Sequence, residues 1–267
     1  MKEIVVVIPT LFASENLKKC LDLLFESLKF FGKKQKAVVV IDNGGKIDDR
    51  FYSKEIVVIK NQKNLGFAAA VNQGIKKILS RYYLILNDDC FLEKETVEKM
   101  YLFLEKNKKI FATQPVIFKP DKQVENIGFS VDLQIARAFP IKDKKLWYQK
   151  WDNNRYLLGL SATCLLAKKE LFESVGFFDE SFHSYLEDVD LSIRSAKKNL
   201  HLWPTFSAKA THLHQATSSK MGLYKAKHDF LNWLRIIKKN YSLKMILKYF
   251  PHLFLERLRN FSGIFKS

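Results

Sequence analysis

The chain is short of cysteine, glycine, proline and acidic residues, and each shortage closes off an explanation. Its three cysteines, Cys20, Cys90 and Cys164, are odd in number and widely spaced. No pair has zinc-finger or dithiol redox spacing, which argues against a disulfide framework. Reduced thiols packed as small apolar groups in a reducing compartment are expected instead. Only 10 Gly and 6 Pro stand against 22 Phe and 47% hydrophobic residues, which excludes a disordered chain. No uncharged apolar stretch reaches the roughly 18 residues needed to cross a bilayer. The opening "MKEIVVVIPT" has too short an apolar run for a signal peptide, and it ends at Pro9 without a small-residue cleavage site. The expected location is the cytoplasm, at most peripheral on the inner face of the cytoplasmic membrane.

Asp and Glu number 28 against 45 Lys and Arg, a formal charge of +17. Such a balance favours a polyanionic partner: nucleic acid, an acidic membrane surface or a phosphorylated substrate. No helix-turn-helix, zinc-finger or RNP-type signature is present, so nucleic acid is set aside.

Apolar, largely β-branched runs at 4–8, 38–41, 56–59 and 82–86 suit strands of a sheet covered on both faces, as in parallel sheets. Helical spacing lies between them. Leu17, Cys20, Leu21, Leu24 and Leu28 form one helix opened by Ser14 or Glu15 and stopped at Gly32. Further helices are expected over about 67–79 and 95–106. The alternation predicts an α/β doubly wound domain, whose ligands bind beyond the carboxyl ends of the strands. The segment 110–160 reads as strands and loops, with "KDKKLWYQKWDNNR" a mobile polar loop. Short helices follow near 168–178 and 186–199. Beyond about 220 the chain becomes two basic amphipathic helices, the second kinked or interrupted at Pro251. The expected division is a catalytic unit over 1–220 and a helical extension over 221–267.

Four clusters carry chemistry. Asp42 ends a strand, although a lone aspartate there also fits a turn. "NLGFAAAVNQGI", 64–75, places Gly66 and small residues at a helix N-terminus, which suits phosphate but equally suits close helix–sheet packing. Asn87-Asp88-Asp89 sets two carboxylates at a strand end, costly without compensation. A hard divalent cation that keeps positions for phosphate oxygens would compensate them, and so would a solvated loop. "FFDESFHSYLEDVDLSIR", 177–194, crowds acids into a basic chain. Glu187 and Asp188 there suit a helix first turn, and Asp190 can pair with Arg194. Downstream, His212 and His214 share one face if the segment is a strand.

In order and spacing these motifs resemble the family 2 glycosyltransferases of the GT-A fold, especially the rhamnosyltransferase-like branch. The similarity runs over about residues 3–219. It implies a Rossmann-like, mostly parallel sheet flanked by helices, and an inverting transfer from a nucleotide sugar to a glycan or lipid-linked acceptor in cell-surface polysaccharide synthesis. dTDP-rhamnose or a UDP-sugar is the favoured donor. By the same resemblance, Pro9, Thr10 and Asp42 hold base and ribose, and Asn64, Gly66 and Asn72 lie beside the nucleotide. Asn87, Asp88 and Asp89 occupy the D-x-D position. Asp89 and His212 then serve as ligands of Mg²⁺ or Mn²⁺, with Asp88 a ligand or a ribose contact and His214 left open. Asp188 is the catalytic base, paired with Glu187. Four positions depart from the pattern: Asn87 replaces the first carboxylate, Phe177 a glycine, His183 a phenylalanine, and His228-Asp229 an Arg-Asn pair. The last bears on acceptor contacts.

A sugar nucleotidyltransferase would want a glycine-rich loop where "PTLFASEN" stands. A catalytically inactive binding module of the same fold at an anionic surface is the other alternative. The basic tail fits either an anionic membrane or packing on the catalytic unit. Oligomeric state is left open.

Overall fold

The computed structural model describes residues 1–11, 15–33, 35–45, 55–151, 155–213 and 222–264. The first elements are β1 (Lys2–Thr10), α1 (Glu15–Ser27), β2 (Lys36–Asp42), β3 (Ile56–Lys60), α2 (Phe67–Lys77) and β4 (Ser80–Leu86). β4, β1, β2 and β3 lie side by side and parallel. Register matters here: Thr10 lies opposite Asp42, so neighbouring strands end level. β1 is buried on both faces. Ile4, Val6 and Ile8 pack with Leu17 and Leu24 of α1, while Val5 and Val7 pack with Val71 and Ile75 of α2. α2 lies so close that a Cβ on Gly74 would fall 2.3 Å from Val7. The third run proves to be an edge strand, with Val57 exposed rather than covered on both faces.

The chain then forms β5 (Cys90–Leu92), α3 (Thr96–Lys106), β6 (Ile110–Thr113), β7 (Pro115–Phe118), β8 (Val124–Asn126), β9 (Phe129–Asp132) and β10 (Arg137–Pro140). Next come α4 (Lys144–Trp151), β11 (Tyr156–Gly159), β12 (Cys164–Lys168), α5 (Lys169–Val175), α6 (Glu187–Lys197), β13 (His201–Leu202) and β14 (Thr205–His212). β12 enters the main sheet antiparallel between β4 and β6. Two smaller sheets, β10-β9-β11 and β5-β14-β7-β8, flank it.

The segment 144–151 is a helix, where the sequence suggests a loop. Asp143 accepts from the Lys145 amide at 2.6 Å, an N-terminal cap. Trp147 is fully buried against Trp203 and over Gly128, whose added Cβ would meet the indole at 2.5 Å. One anchored tryptophan outweighs the polar composition around it.

α7 (Gly222–Asn240) and α8 (Leu243–Ile264) complete the chain. They pack on it through Trp233, Ile236 and Leu253, which share a core with Phe129, Phe182 and Val189. Pro251 does not interrupt α8. The carbonyl it leaves without a donor belongs to Leu247, which is exposed, so water can satisfy it. Ser14 lies outside the described residues, and α1 ends at Ser27, ahead of Gly32.

Candidate functional site

The site lies where β1, β2 and β4 end. Thr10 donates its hydroxyl to Asp88 across that line, and Pro9 precedes it, opposite Ile41. Asp42 is buried, its Oδ1 receiving the Gly44 amide at 3.4 Å. Burial lifts the Asp88 carboxyl to about 6, against the Thr10 hydrogen bond and with help from the Asp89 charge.

Asp89 meets His212 because of strand register. β5 and β14 are antiparallel with Cys90 opposite His212, and the Leu213 amide donates to the Asp89 carbonyl at 3.1 Å. His212 Nε2 then lies 3.1 Å from Asp89 Oδ1, and its Nδ1 lies 3.4 Å from Glu125 Oε2 on β8. Burial opposes protonation of His212, but the Asp89 and Glu125 carboxylates beside it outweigh it and lift the imidazole to about 9. Beneath them the three buried thiols are free, and Cys20 donates to the carbonyls of Asn87 and Cys90 at 3.5 Å.

One carboxylate and one imidazole suit a hard divalent cation that keeps most of its positions for other oxygens. No group of three or more His, Cys, Asp or Glu side chains among the described residues could hold a metal ion. The Asp89–His212 pair fits a metal whose remaining positions phosphate oxygens could fill. Asn87 bonds through its backbone: its amide donates to the Thr163 carbonyl at 2.9 Å and its carbonyl accepts from the Cys90 amide. His214 lies outside the described residues.

That Thr163 contact links the strand end to the second acidic cluster. Next to it, the Ala162 amide donates to Asp188 Oδ2 at 3.3 Å, while Val189 N–H reaches Oδ1 at 2.8 Å. Asp188 and Glu187 form the first turn of α6. Burial raises both carboxyls, Glu187 to about 8 with the Asp188 charge adding to it. Glu187 Oε2 has no hydrogen-bond partner among the described residues. The backbone donors make Asp188 the better seat for the anion, and the two carboxyls titrate as a pair. Two consecutive left-handed residues, Tyr185 (φ 72°) and Leu186 (φ 67°), aim the pair.

The segment around α2 serves chiefly to build this site. Asn64 Oδ1 accepts from the Gly66 amide at 2.8 Å and from Asn43 at 3.0 Å. At Gly66 (φ 88°) the close neighbour is the chain itself: an added Cβ would lie 2.1 Å from His183 Nδ1. The Phe67 amide donates to the His183 carbonyl at 2.8 Å, so one donor of this helix terminus is already taken. Asn72 is buried and spends its amide on Phe178 and Glu180, at 2.8–3.1 Å. It fastens the loop that leads to α6.

Sequence reasoning missed Glu125, Asn61, the Ser161–Thr163 turn and Asn232, and gave Asn43 no role beyond its place at a strand end. Asn61, just after β3, donates to Asn43, just after β2, at 3.1 Å, and Asn43 in turn accepts the Leu65 amide ahead of α2 at 3.1 Å. Asn232 of α7 is fully buried and donates to the carbonyls of Ser184 and Tyr185 at 2.8 and 2.7 Å.

An α/β sheet with acids gathered at its strand ends is the layout of a nucleotide-sugar-binding GT-A fold, and comparison with known proteins agrees. The mannosyltransferase PcManGT from Pyrobaculum calidifontis, solved with GDP-Man and Mn²⁺, superposes with a TM-score of 0.66 at 14% identity, over 98% of this chain and 72% of that one. An uncharacterised glycosyltransferase of Haemophilus influenzae is 28% identical over 186 residues, 68% of this chain and 59% of that protein. The N-acetylglucosaminyl-diphospho-decaprenol L-rhamnosyltransferase of Mycobacterium tuberculosis is 22% identical over 217 residues, 72% of this chain and 71% of that protein. Residues 5–173 match the profile of glycosyl transferase family 2, well over half of the sequence. The chain belongs to glycosyl transferase family 2. Glu187, Asp188 and His212 lie beyond the matched segment, so their roles rest on the geometry above.

Proposed function

We propose that the chain transfers a sugar, with inversion, from a nucleoside diphosphate donor to a hydroxyl of a glycan or lipid-linked acceptor. The observation that carries this reading is Asp188, a carboxyl held by two backbone amides and joined through the 161–163 turn to the strand end that bears Asp89 and His212.

Asp188 accepts the acceptor hydroxyl's proton as that oxygen attacks the anomeric carbon. Glu187, holding its own proton, keeps a second negative charge out of the pocket. Thr10 and Asp42 at the level strand ends meet the nucleoside, and Asp88, bound by Thr10, lies between nucleoside and diphosphate. Asp89 and His212, with its imidazole deprotonated, would hold Mg²⁺ or Mn²⁺ together with the diphosphate. When bound, the cation offsets charge on the leaving diphosphate. Glu125 fixes the His212 ring with Nε2 toward Asp89.

The mycobacterial relative's name supports a rhamnosyl donor and a lipid-diphosphate-linked acceptor; dTDP-rhamnose or a UDP-sugar, in cell-envelope polysaccharide synthesis, is the reading proposed from it. The test is a thermal-shift screen of dTDP-, UDP- and GDP-sugars with Mn²⁺ or Mg²⁺, followed by nucleotide release with acceptor. One donor class should raise the melting temperature by mass action. No shift with any donor, and no nucleotide release, would leave an inactive binding module.

A further inference from the structure

The outward face of α8 is a stripe of large apolar side chains. Leu243, Leu247, Phe250, Phe254, Leu258 and Phe261 recur at helical spacing, and they are 46–71% exposed. The helix attaches by its other face, where Leu253, Glu256 and Arg257 are buried. An amphipathic helix ordinarily turns its apolar stripe toward the core. Here a second one faces solvent.

The border of the stripe is cationic, with Lys244, Lys248 and Arg259 exposed. The helix's one carboxylate, Glu256, is buried and bound to Arg137 at 2.9 Å, so α8 shows no negative charge to solvent. Against the N-terminal half of α8, on a side turned away from the stripe, lies a cavity of about 290 Å³ lined by Arg155, Lys244, Lys248 and Tyr249, among others. Arg155 pairs with Asp132, which leaves the two lysines to set the sign of the cavity.

We propose that α8 docks on an anionic phospholipid bilayer. The stripe enters the headgroup–acyl boundary, and Lys244, Lys248 and Arg259 along its border meet the headgroup phosphates. A helix of this length lays about 33 Å of contact along the surface. No helix among the described residues is long and apolar enough to cross a membrane, so the contact lies in the plane. Charge complementarity selects a bilayer over a soluble partner: a continuous apolar stripe bordered by cations matches acyl chains beneath anionic headgroups. α8 packs on α7, whose Asn232 holds the turn before Asp188, so docking would also set the height of the site above the surface. Docking does not depend on the donor; vesicle binding and sugar transfer can each fail while the other holds.

The experiment is co-sedimentation of the full chain with phosphatidylcholine vesicles, with and without phosphatidylglycerol, at low salt. Binding is expected only with phosphatidylglycerol and should weaken as salt rises. Lys244→Glu with Lys248→Glu should cut partitioning by at least about fivefold per site. Leu247→Glu with Phe254→Glu should cut it more than about tenfold. Both pairs should keep the wild-type melting temperature, because the side chains are exposed. The proposal is overturned by absence of binding to anionic vesicles, by equal binding to neutral ones, or by binding that survives loss of the stripe. A dimer that the Leu247→Glu, Phe254→Glu pair dissolves, with no vesicle binding, would assign the stripe to a second copy instead.

Discussion

Glu187→Gln should change how stability depends on pH more than it changes stability itself. In the fold, Glu187 is buried beside Asp188 and its carboxyl is raised from an ordinary 4.5 to about 8. A carboxyl raised on folding binds its proton more tightly in the native state, so stability is fully present below about 4.5. It declines as pH rises and is lost once the native group ionises near 8. Each pH unit between those two values is worth about 1.4 kcal/mol, so the full span sets a ceiling of about 5 kcal/mol. The pair shares one proton, and water can reach Asp188, so about 2 kcal/mol is the realistic loss between pH 5 and 9. For a chain of this size that is about 5 °C in melting temperature. Glutamine carries no titrating proton. The variant should therefore match or slightly trail the wild type at pH 5 and overtake it by pH 9. Differential scanning fluorimetry across that range reads the difference directly. Parallel curves for the two proteins would refute the shared-proton account of the acidic pair.

Other consequences are sharper in activity. Asp188→Asn should retain donor binding and lose about 10²-fold or more in turnover, read as kcat against the donor Kd. Near-normal turnover would remove it as the base. Asp89→Ala or His212→Ala should abolish the Mn²⁺ dependence of nucleoside diphosphate affinity in calorimetry, whereas Glu125→Gln should weaken it by about tenfold. Gly66→Ala must accommodate a Cβ 2.1 Å from His183 at positive φ, and should cost about 3 kcal/mol in denaturant unfolding. Asn232→Leu should lower kcat with little change in donor affinity, since it loosens the turn before Asp188 and touches no donor-side residue.

Much of the frame was legible because local pattern dictates it. β-branched runs buried on both faces could only be inner strands, and Leu17, Leu21 and Leu24 could only be a helix face. The third run has the same composition but lies at the edge, and composition says nothing about strand order. The D-x-D-like triplet and the acidic pair stood out as charge misplaced in an apolar or basic setting. Glu125 gave no such signal. It is one acid in a short polar strand, and it reaches His212 only through the β8–β7–β14 pairing. Asn43, Asn61 and Asn232 were illegible for a similar reason. A buried amide is recognisable by what it bonds, and the partners that fix these three lie 12 to 48 residues away. Gly66 was legible as a close approach, but not as an approach by His183.

Asp188, the acid proposed as the base, is held from outside the strand ends. Two successive left-handed residues other than glycine cost about 1–2 kcal/mol each. Tyr185 and Leu186 persist there because Asn232 accounts for the carbonyls of Ser184 and Tyr185, and Phe182 is locked in the core shared with Trp233. Lower on α6, Asp190 pairs with Arg194 and accepts from Asn240, at the end of α7. The first turn of α6 therefore has its orientation set by the basic helices as much as by the sheet. A perturbation of α7 reaches Asp188 through two hydrogen bonds, while the Asp89–His212 pair stands on β5 and β14, away from that route. Changes in the C-terminal helices should accordingly act on turnover before they act on metal or nucleotide affinity.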